Sequence, residues 1–210
     1  MKAPSLLLVG AGGHAAACID VIEEGEQFTV AGLVGLAGEV GKRVLGYPVL
    51  GTDEDLPTLV ARHQRVLIVV GQIKTPEPRI RLFERLQGLG CEMPTIVSPR
   101  AHVSRHATVG AGTIVMHGAV VNAAAVVGRN CIVNSLALVE HGVMVADHCH
   151  IATSAAVNSE VRIGAGTFIG SQSSIRQSLR IGECCLIGMG QRVLADCADG
   201  THLPARKGAS

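Results

Sequence analysis

The sequence has no tryptophan, a single tyrosine and three phenylalanines in 210 residues. Without aromatic bulk the interior must be filled by Val, Ile, Leu and Ala, which suits a narrow scaffold of small repeating units. A surplus of one charge is missing too: the net charge is +1 and no Lys/Arg run stands out. That excludes the electrostatic footprint of a nucleic-acid or anionic-membrane binder and leaves a small molecule as the expected partner. Nowhere do 18 consecutive apolar residues occur, and Met1 to Gly10 lacks a cationic segment followed by a long apolar run, so a cytoplasmic location is expected. The seven cysteines are odd in number and include no CxxC pair. Cys131, Cys149, Cys185 and Cys197 each fall four residues after a regularly spaced Val or Ile, in a slot held mostly by Ala, Thr or Ser, as at Ala107, Thr113, Ala119 and Ser173, and read as small core filler rather than disulfides or metal ligands.

What the sequence does have is a ladder. From Val97 a β-branched residue falls on every sixth position through Val103, Val109, Val115, Val121, Val127, Val133, Val139, Val145, Ile151, Val157, Ile163, Ile169, Ile175, Ile181, Ile187 and Val193. A period of six matches neither the helical 3.6 nor the simple strand repeat of two, and predicts a parallel β-helix of hexapeptide repeats in which three hexads close one triangular coil of about eighteen residues. The unbroken register leaves no extruded loop to roof a pocket. A cleft is therefore expected between neighbouring subunits, and a three-sided prism suggests a cyclic trimer.

Residues 1–94 read differently. Ser5–Val9 is a short apolar run, Gly10-Ala-Gly-Gly-His-Ala15 follows, and Ala16–Glu24 has helical composition. Strand, glycine turn and helix together suit a phosphate, which the free N–H groups at a helix start attract, although such turns also occur simply to pack a helix on a sheet. Further strands at Thr29–Val34 and Val66–Val70 and helices at Asp53–His63 and Pro78–Leu89 imply a small Rossmann-like parallel α/β sheet. No acidic residue ends the second strand, where Gly32-Leu-Val-Gly-Leu-Ala-Gly38 stands, so a redox dinucleotide is not expected. Cys91–Pro99 is the predicted boundary, giving units 1–94 and 95–210.

Five of the nine histidines lie between 102 and 148. His141, beside Glu140 and two residues after an inward Val, occupies a turn position that can face outward, and Ser159 stands one coil later. A histidine titrating near neutrality can serve as a general base, and a backbone N–H near Asn158 or Ser159 could receive an oxyanion; the competing reading is a solvated surface histidine. No two histidines between 95 and 197 differ by a multiple of eighteen, so stacked metal ligands are not expected.

Gly10-Ala-Gly-Gly-His14, Gly46-Tyr-Pro-Val-Leu-Gly51, Pro94-Thr-Ile-Val-Ser-Pro99, the ladder and Val139-Glu-His141 together resemble the bacterial nucleotide-sugar N-acetyltransferases acting on 4-amino-4,6-dideoxy sugars, to which sialic acid O-acetyltransferases are related. The resemblance covers nearly the whole chain. It implies a left-handed β-helix, a homotrimer with active sites between subunits, and acetyl-CoA as cosubstrate. It implies His141 as catalytic base; Gly12, Gly13 and His14 as the nucleotide-binding turn; Asn134 as a sugar contact; and His150, Ser159, Gly170 and Gly188 along acetyl-CoA. Two departures stand out. The acidic pair that uridine-nucleotide members often carry after the second strand is absent, which points toward a guanine nucleotide, and Gly142 replaces the acidic residue that often follows the histidine, so any carboxylate orienting His141 must be another residue, with Glu140 and Asp147 the candidates. Other readings are a nucleotide-independent O-acetyltransferase, a zinc enzyme resembling γ-carbonic anhydrase, and a non-catalytic nucleotide-sensing scaffold.

Overall fold

The structure, a computed structural model, describes residues 3–205. The N-terminal unit contains β1 (Ser5–Val9), α1 (Gly13–Gly25), β2 (Thr29–Val34), β3 (Arg43–Val44), β4 (Tyr47–Gly51), α2 (Leu56–His63), β5 (Val66–Ile68) and α3 (Glu77–Gly88). The five strands lie in the order β3-β4-β2-β1-β5. The sheet is mixed rather than parallel, because β3 and β4 form an antiparallel hairpin. Its two linking residues, Leu45 (φ 46°) and Gly46 (φ 87°), both have positive φ, the geometry a two-residue hairpin turn requires. That hairpin escaped the sequence reading because β3 is only two residues long and Pro48 interrupts β4.

From Ile96–Val97 onward the chain winds as a prism of two-residue strands, 18 residues per coil, forming parallel sheets of seven, six and five strands. The first face begins with Ile96–Val97, the second with His102–Val103 and the third with Thr108–Val109. From Val115 to Val193 every ladder residue is buried, and Cys131, Cys149 and Cys185 fill small core slots beside them. Corners have their own period: positive φ recurs at Gly112, Gly118, Ala124, Asn130, Leu136, Gly142, His148 and onward by sixes. Side chains are tolerated there at some cost in strain.

Cys197 departs from its expected slot. After Val193 the coil shortens, so that Cys197 bridges Ile181, and Leu203 pairs with Ile187, sixteen residues on rather than eighteen. A last strand, His202–Leu203, closes the first face and is followed by Pro204.

The two units share a core. On the first face the outward positions read Ile96, Ile114, Ile132, His150, Phe168 and Leu186 in successive coils. The three isoleucines and Met116 pack with Ala15, Cys18, Ile19 and Ile22 of α1. The outward columns of the other faces are mixed: the second carries Val120, Leu138 and Ala156 beside His102, Ser174 and Arg192, and the third Val126 and Met144 beside Thr108, Arg162 and Arg180. Polar contacts flank the seam: His117 lies 2.9 Å from Asp20, and Arg100 lies 2.6 Å from Glu24.

Candidate active site

β1 lies between β2 and β5, the place where strand order reverses in a doubly wound sheet and where ligands sit beyond the carboxyl ends of the strands. A cleft of about 1050 Å³ opens there, lined by Gly10–His14 after β1, Val34–Ala37 after β2, and Val69–Gly71 and Lys74 after β5. The glycines of the first turn serve separate ends. A Cβ on Gly10 (φ 120°) would lie 2.9 Å from Val70 N, so glycine lets β1 exit against β5. A Cβ on Gly12 or Gly13 would meet nothing within 4 Å, so nothing in the packing demands glycine, and the bare backbone leaves space at the start of α1. That helix begins with no side-chain cap and no acidic residue in its first turn, leaving N–H groups for an anion.

His14 lines the cleft with its Nε2 buried and without a hydrogen-bond partner among the described residues. Burial first, and then the Arg79 guanidinium, lower its pKa to about 4, so the ring is neutral at pH 7. Acidic groups do reach the cleft, from further along the chain than the end of β2: Glu39, Asp53 and Glu54 line it, and the Glu39 carboxylate accepts the Leu36 N–H at 2.8 Å.

Arg79, which the sequence reading did not single out, ties this unit to the prism. Its buried guanidinium donates to the carbonyls of Ile68 (3.1 Å) and Val70 (2.6 Å) and to Asn130 through its carbonyl (3.1 Å) and Oδ1 (2.6 Å). Burial lowers its pKa to about 10, which still leaves it charged at neutral pH. It therefore fixes the exit of β5, which forms one wall of the cleft.

Asn134 and His150 meet on the prism. The Asn134 amide nitrogen lies 3.1 Å from His150 Nε2, and Asn134 Oδ1 accepts the Ser135 N–H at 2.8 Å. His150 is only 6% exposed; its Nδ1 lies 2.6 Å from the Gln72 carbonyl, and its ring faces those of His14 (6.5 Å) and Phe168 (5.2 Å). Burial lowers its pKa to about 4, with His14 and Arg79 adding to the shift against the opposing Gln72 hydrogen bond.

His141 occupies a different corner, between the second and third faces, with its side chain 61% exposed. Glu140 Oε2 accepts from Asn122 Nδ2 (3.1 Å) and the His141 N–H (3.1 Å), and lies 3.2 Å from His141 Nδ1. Those contacts, the His141 backbone N–H foremost, hold the Glu140 carboxyl below its usual pKa. A carboxylate on Nδ1 leaves Nε2 as the free, proton-accepting nitrogen. Asp147, the other candidate for orienting His141, is engaged by Arg129 at 2.6 to 2.9 Å. One coil on, Glu160 N–H donates to the His141 carbonyl at 3.1 Å, which sets the Ser159 corner over it. Asn158 reaches the Ile175 carbonyl instead of turning back to cap Ser159, whose N–H has no partner among the described residues.

Gly170 and Gly188 stack on one another: a Cβ on Gly170 would lie 2.5 Å from the Gly188 carbonyl carbon, so close coil packing explains glycine there. Among the described residues no group of three or more His, Cys, Asp or Glu side chains is arranged to hold a metal ion. Gln72, Arg79, Asn122 and Asn130 were missed by sequence reasoning. A signal existed for part of this: the eighteen-residue column Ile96, Ile114, Ile132 marks the face on which α1 docks, and His150 follows directly in that column.

Residues 5–86 match the PglD N-terminal domain. No curated protein matches the chain. Among solved structures, PerB from Caulobacter crescentus in complex with CoA and GDP-perosamine is 29% identical, with a TM-score of 0.88 over 94% of this chain and 92% of that one. A histidine-to-asparagine variant of perosamine N-acetyltransferase from the same organism, also with CoA and GDP-perosamine, gives 28% and 0.89 over the same shares. The acetyltransferase domain of PglB from Neisseria gonorrhoeae in complex with acetyl coenzyme A is 29% identical, with a TM-score of 0.87 over 95% of each chain. The chain thus joins a PglD N-terminal domain to a left-handed β-helix of hexapeptide repeats, the architecture of the sugar acetyltransferases it resembles, and is an acyltransferase.

Proposed function

We propose that the protein transfers the acetyl group of acetyl-CoA to the 4-amino group of a nucleotide-linked 4-amino-4,6-dideoxy sugar, with GDP-perosamine as acceptor. The observation that carries this reading is the cleft at the glycine turn. It combines uncapped N–H groups at the start of α1, open space at Gly12 and Gly13, and Lys74, a constellation suited to a diphosphate. Likeness over nearly the full length to a protein crystallised with GDP-perosamine and CoA supports the acceptor and the donor.

In this mechanism the N-terminal unit, residues 1–94, holds the nucleotide, and the β-helix, residues 95–210, carries the chemistry in grooves between the prisms of a homotrimer. Asn134 orients the sugar. The neutral 4-amine attacks the thioester carbonyl, forming the C–N bond, while His141 Nε2 takes the proton that the nitrogen loses and Glu140 stabilises the imidazolium. A backbone N–H at Ser159 receives the oxyanion. Collapse breaks the C–S bond, and the CoA thiolate leaves to take up a proton. Gly170 and Gly188 supply flat backbone along the groove in which CoA lies. Acetyl-CoA places the reaction in the cytoplasm.

The test is a thiol-release assay with acetyl-CoA against GDP-, UDP- and dTDP-linked 4-amino sugars and free sialic acid. Turnover with GDP-perosamine at a kcat/KM at least about tenfold above the others is expected. Preference for a UDP sugar would overturn the guanine assignment, and turnover of sialic acid alone would overturn the nucleotide-sugar reading.

A further inference from the structure

We propose that His150 is a positioning residue for the acceptor sugar: it locks the amide of Asn134 to the segment bordering the nucleotide cleft and does not contact acetyl-CoA. The inference deepens the function proposed above and rests on Asn134 as the sugar contact.

The hydrogen bonds leave the frame one consistent arrangement. The Gln72 carbonyl can only accept, so at 2.6 Å His150 Nδ1 must carry the proton. Nε2 then presents a lone pair, and the Asn134 amide must turn its NH2 toward it, at 3.1 Å. With Oδ1 already accepting the Ser135 N–H, a single amide N–H of Asn134 remains to be offered outward. Reversing the amide would set Oδ1 against the Nε2 lone pair and leave the Ser135 N–H facing a donor. Tautomer and amide orientation are thus chained, and the chain starts on the N-terminal unit.

That start is itself immobilised. Gln72 is 2% exposed, and its Nε2 donates to the carbonyls of His148 (2.9 Å) and Gly166 (3.4 Å), so the segment is held to the prism at several points. Its neighbours Gly71, Ile73 and Lys74 line the cleft. His150 is walled by His14 and Phe168, with no ring nitrogen left to reach a thioester. Its neutrality at pH 7 agrees with this arrangement. The corner that presents Asn134 and the loop that borders the nucleotide therefore form one hydrogen-bonded frame.

Steady-state kinetics with acetyl-CoA and GDP-perosamine test this. His150→Phe keeps a ring against Phe168 but removes both hydrogen bonds; it should raise the KM for GDP-perosamine about tenfold while leaving the KM for acetyl-CoA within about twofold. His150→Gln offers one donor and one acceptor and should stay within about threefold of the parent in both. In an Asn134→Ala background, His150→Phe should cost less than about twofold more, because the group it positions is gone. A rise in the acetyl-CoA KM alone, independent multiplicative losses, or a loss above about tenfold in a folded His150→Gln variant would each overturn the proposal. Nitrogen-15 NMR of the unmodified protein gives a readout independent of turnover and of the folding of any variant: His150 should be the Nδ1–H tautomer from pH 7 down to about 5.5. The Nε2–H tautomer, or protonation in that range, would overturn the frame. A parent enzyme inactive on every amino sugar would instead sink the proposed function, with the NMR result still deciding the hydrogen bonding.

Discussion

At His141 the contact with Glu140 matters more than exposure, because a carboxylate on Nδ1 both selects the tautomer and stabilises the ring once it takes a proton. His141→Ala should lower kcat/KM about a hundredfold or more with folding intact, and a loss below about tenfold would move proton transfer elsewhere. His14 and His150 behave in the opposite way, since both are held neutral with pKa values lowered to about 4. An unfolded histidine titrates near 6.5, so between about pH 6.5 and 4 the unfolded chain binds protons that the folded chain refuses. Their contribution is complete above about pH 6.5 and is lost as the pH falls through about 4, on the order of 3 kcal/mol for each ring in full. Urea unfolding between pH 7.5 and 5 should show this slope, and His150→Gln should flatten it. At this scale His141, Glu140, Asn134 and His14 were all legible as candidates. Gln72 and Arg79 were not, because a residue that works through backbone carbonyls leaves no pattern of residue types in the sequence.

For the elements, one period of six carries two kinds of glycine. Gly112, Gly118 and Gly142 sit at corners with positive φ, whereas Gly170 is required by the approach of the next coil. Gly170→Ala should destabilise the protein by about 1 to 3 kcal/mol, read by chemical denaturation. Gly12, at φ −80° and with open space around it, makes the contrast. Gly12→Ala should leave stability within about 0.5 kcal/mol while weakening GDP-perosamine binding in calorimetry. The prism was plain in the sequence because the inward residue faces one fixed environment in every coil. The β3–β4 hairpin was not, since two-residue strands carry no periodicity, and the shortened last coil was not, because a deletion shows only once Cys197 is seen on the ladder rather than beside it.

Across the whole molecule, the corner bearing His141 and the corner bearing Asn134 lie at opposite ends of the second-face strand Leu138–Val139. Val126 and Met144 on the third face and Leu136 on the Asn134 corner are exposed apolar side chains on an otherwise mixed surface. Packing prisms side by side would cover them and bring a neighbour's corner to the groove. Light scattering should therefore give three times the chain mass of 21.7 kDa, and a monomer at micromolar concentration would rule out a shared active site. Helices were assigned to the N-terminal unit from the sequence, but which face of the prism they cover followed from an apolar column visible only when residues eighteen apart are compared.

The shortened final coil has a further effect on how copies meet. A parallel β-helix ends in unpaired strand edges, and a prism of constant cross-section could add another copy end to end without limit. Here the last turn loses two residues, Cys197 is drawn onto the ladder, and Pro204, which has no N–H, follows the terminal strand, with its carbonyl taken by Gln191 at 2.6 Å. Among the described residues Pro204 thus stands where Gly188 donates its N–H one coil earlier, and with that donor missing the outgoing edge of the first face is a poorer template for a further strand.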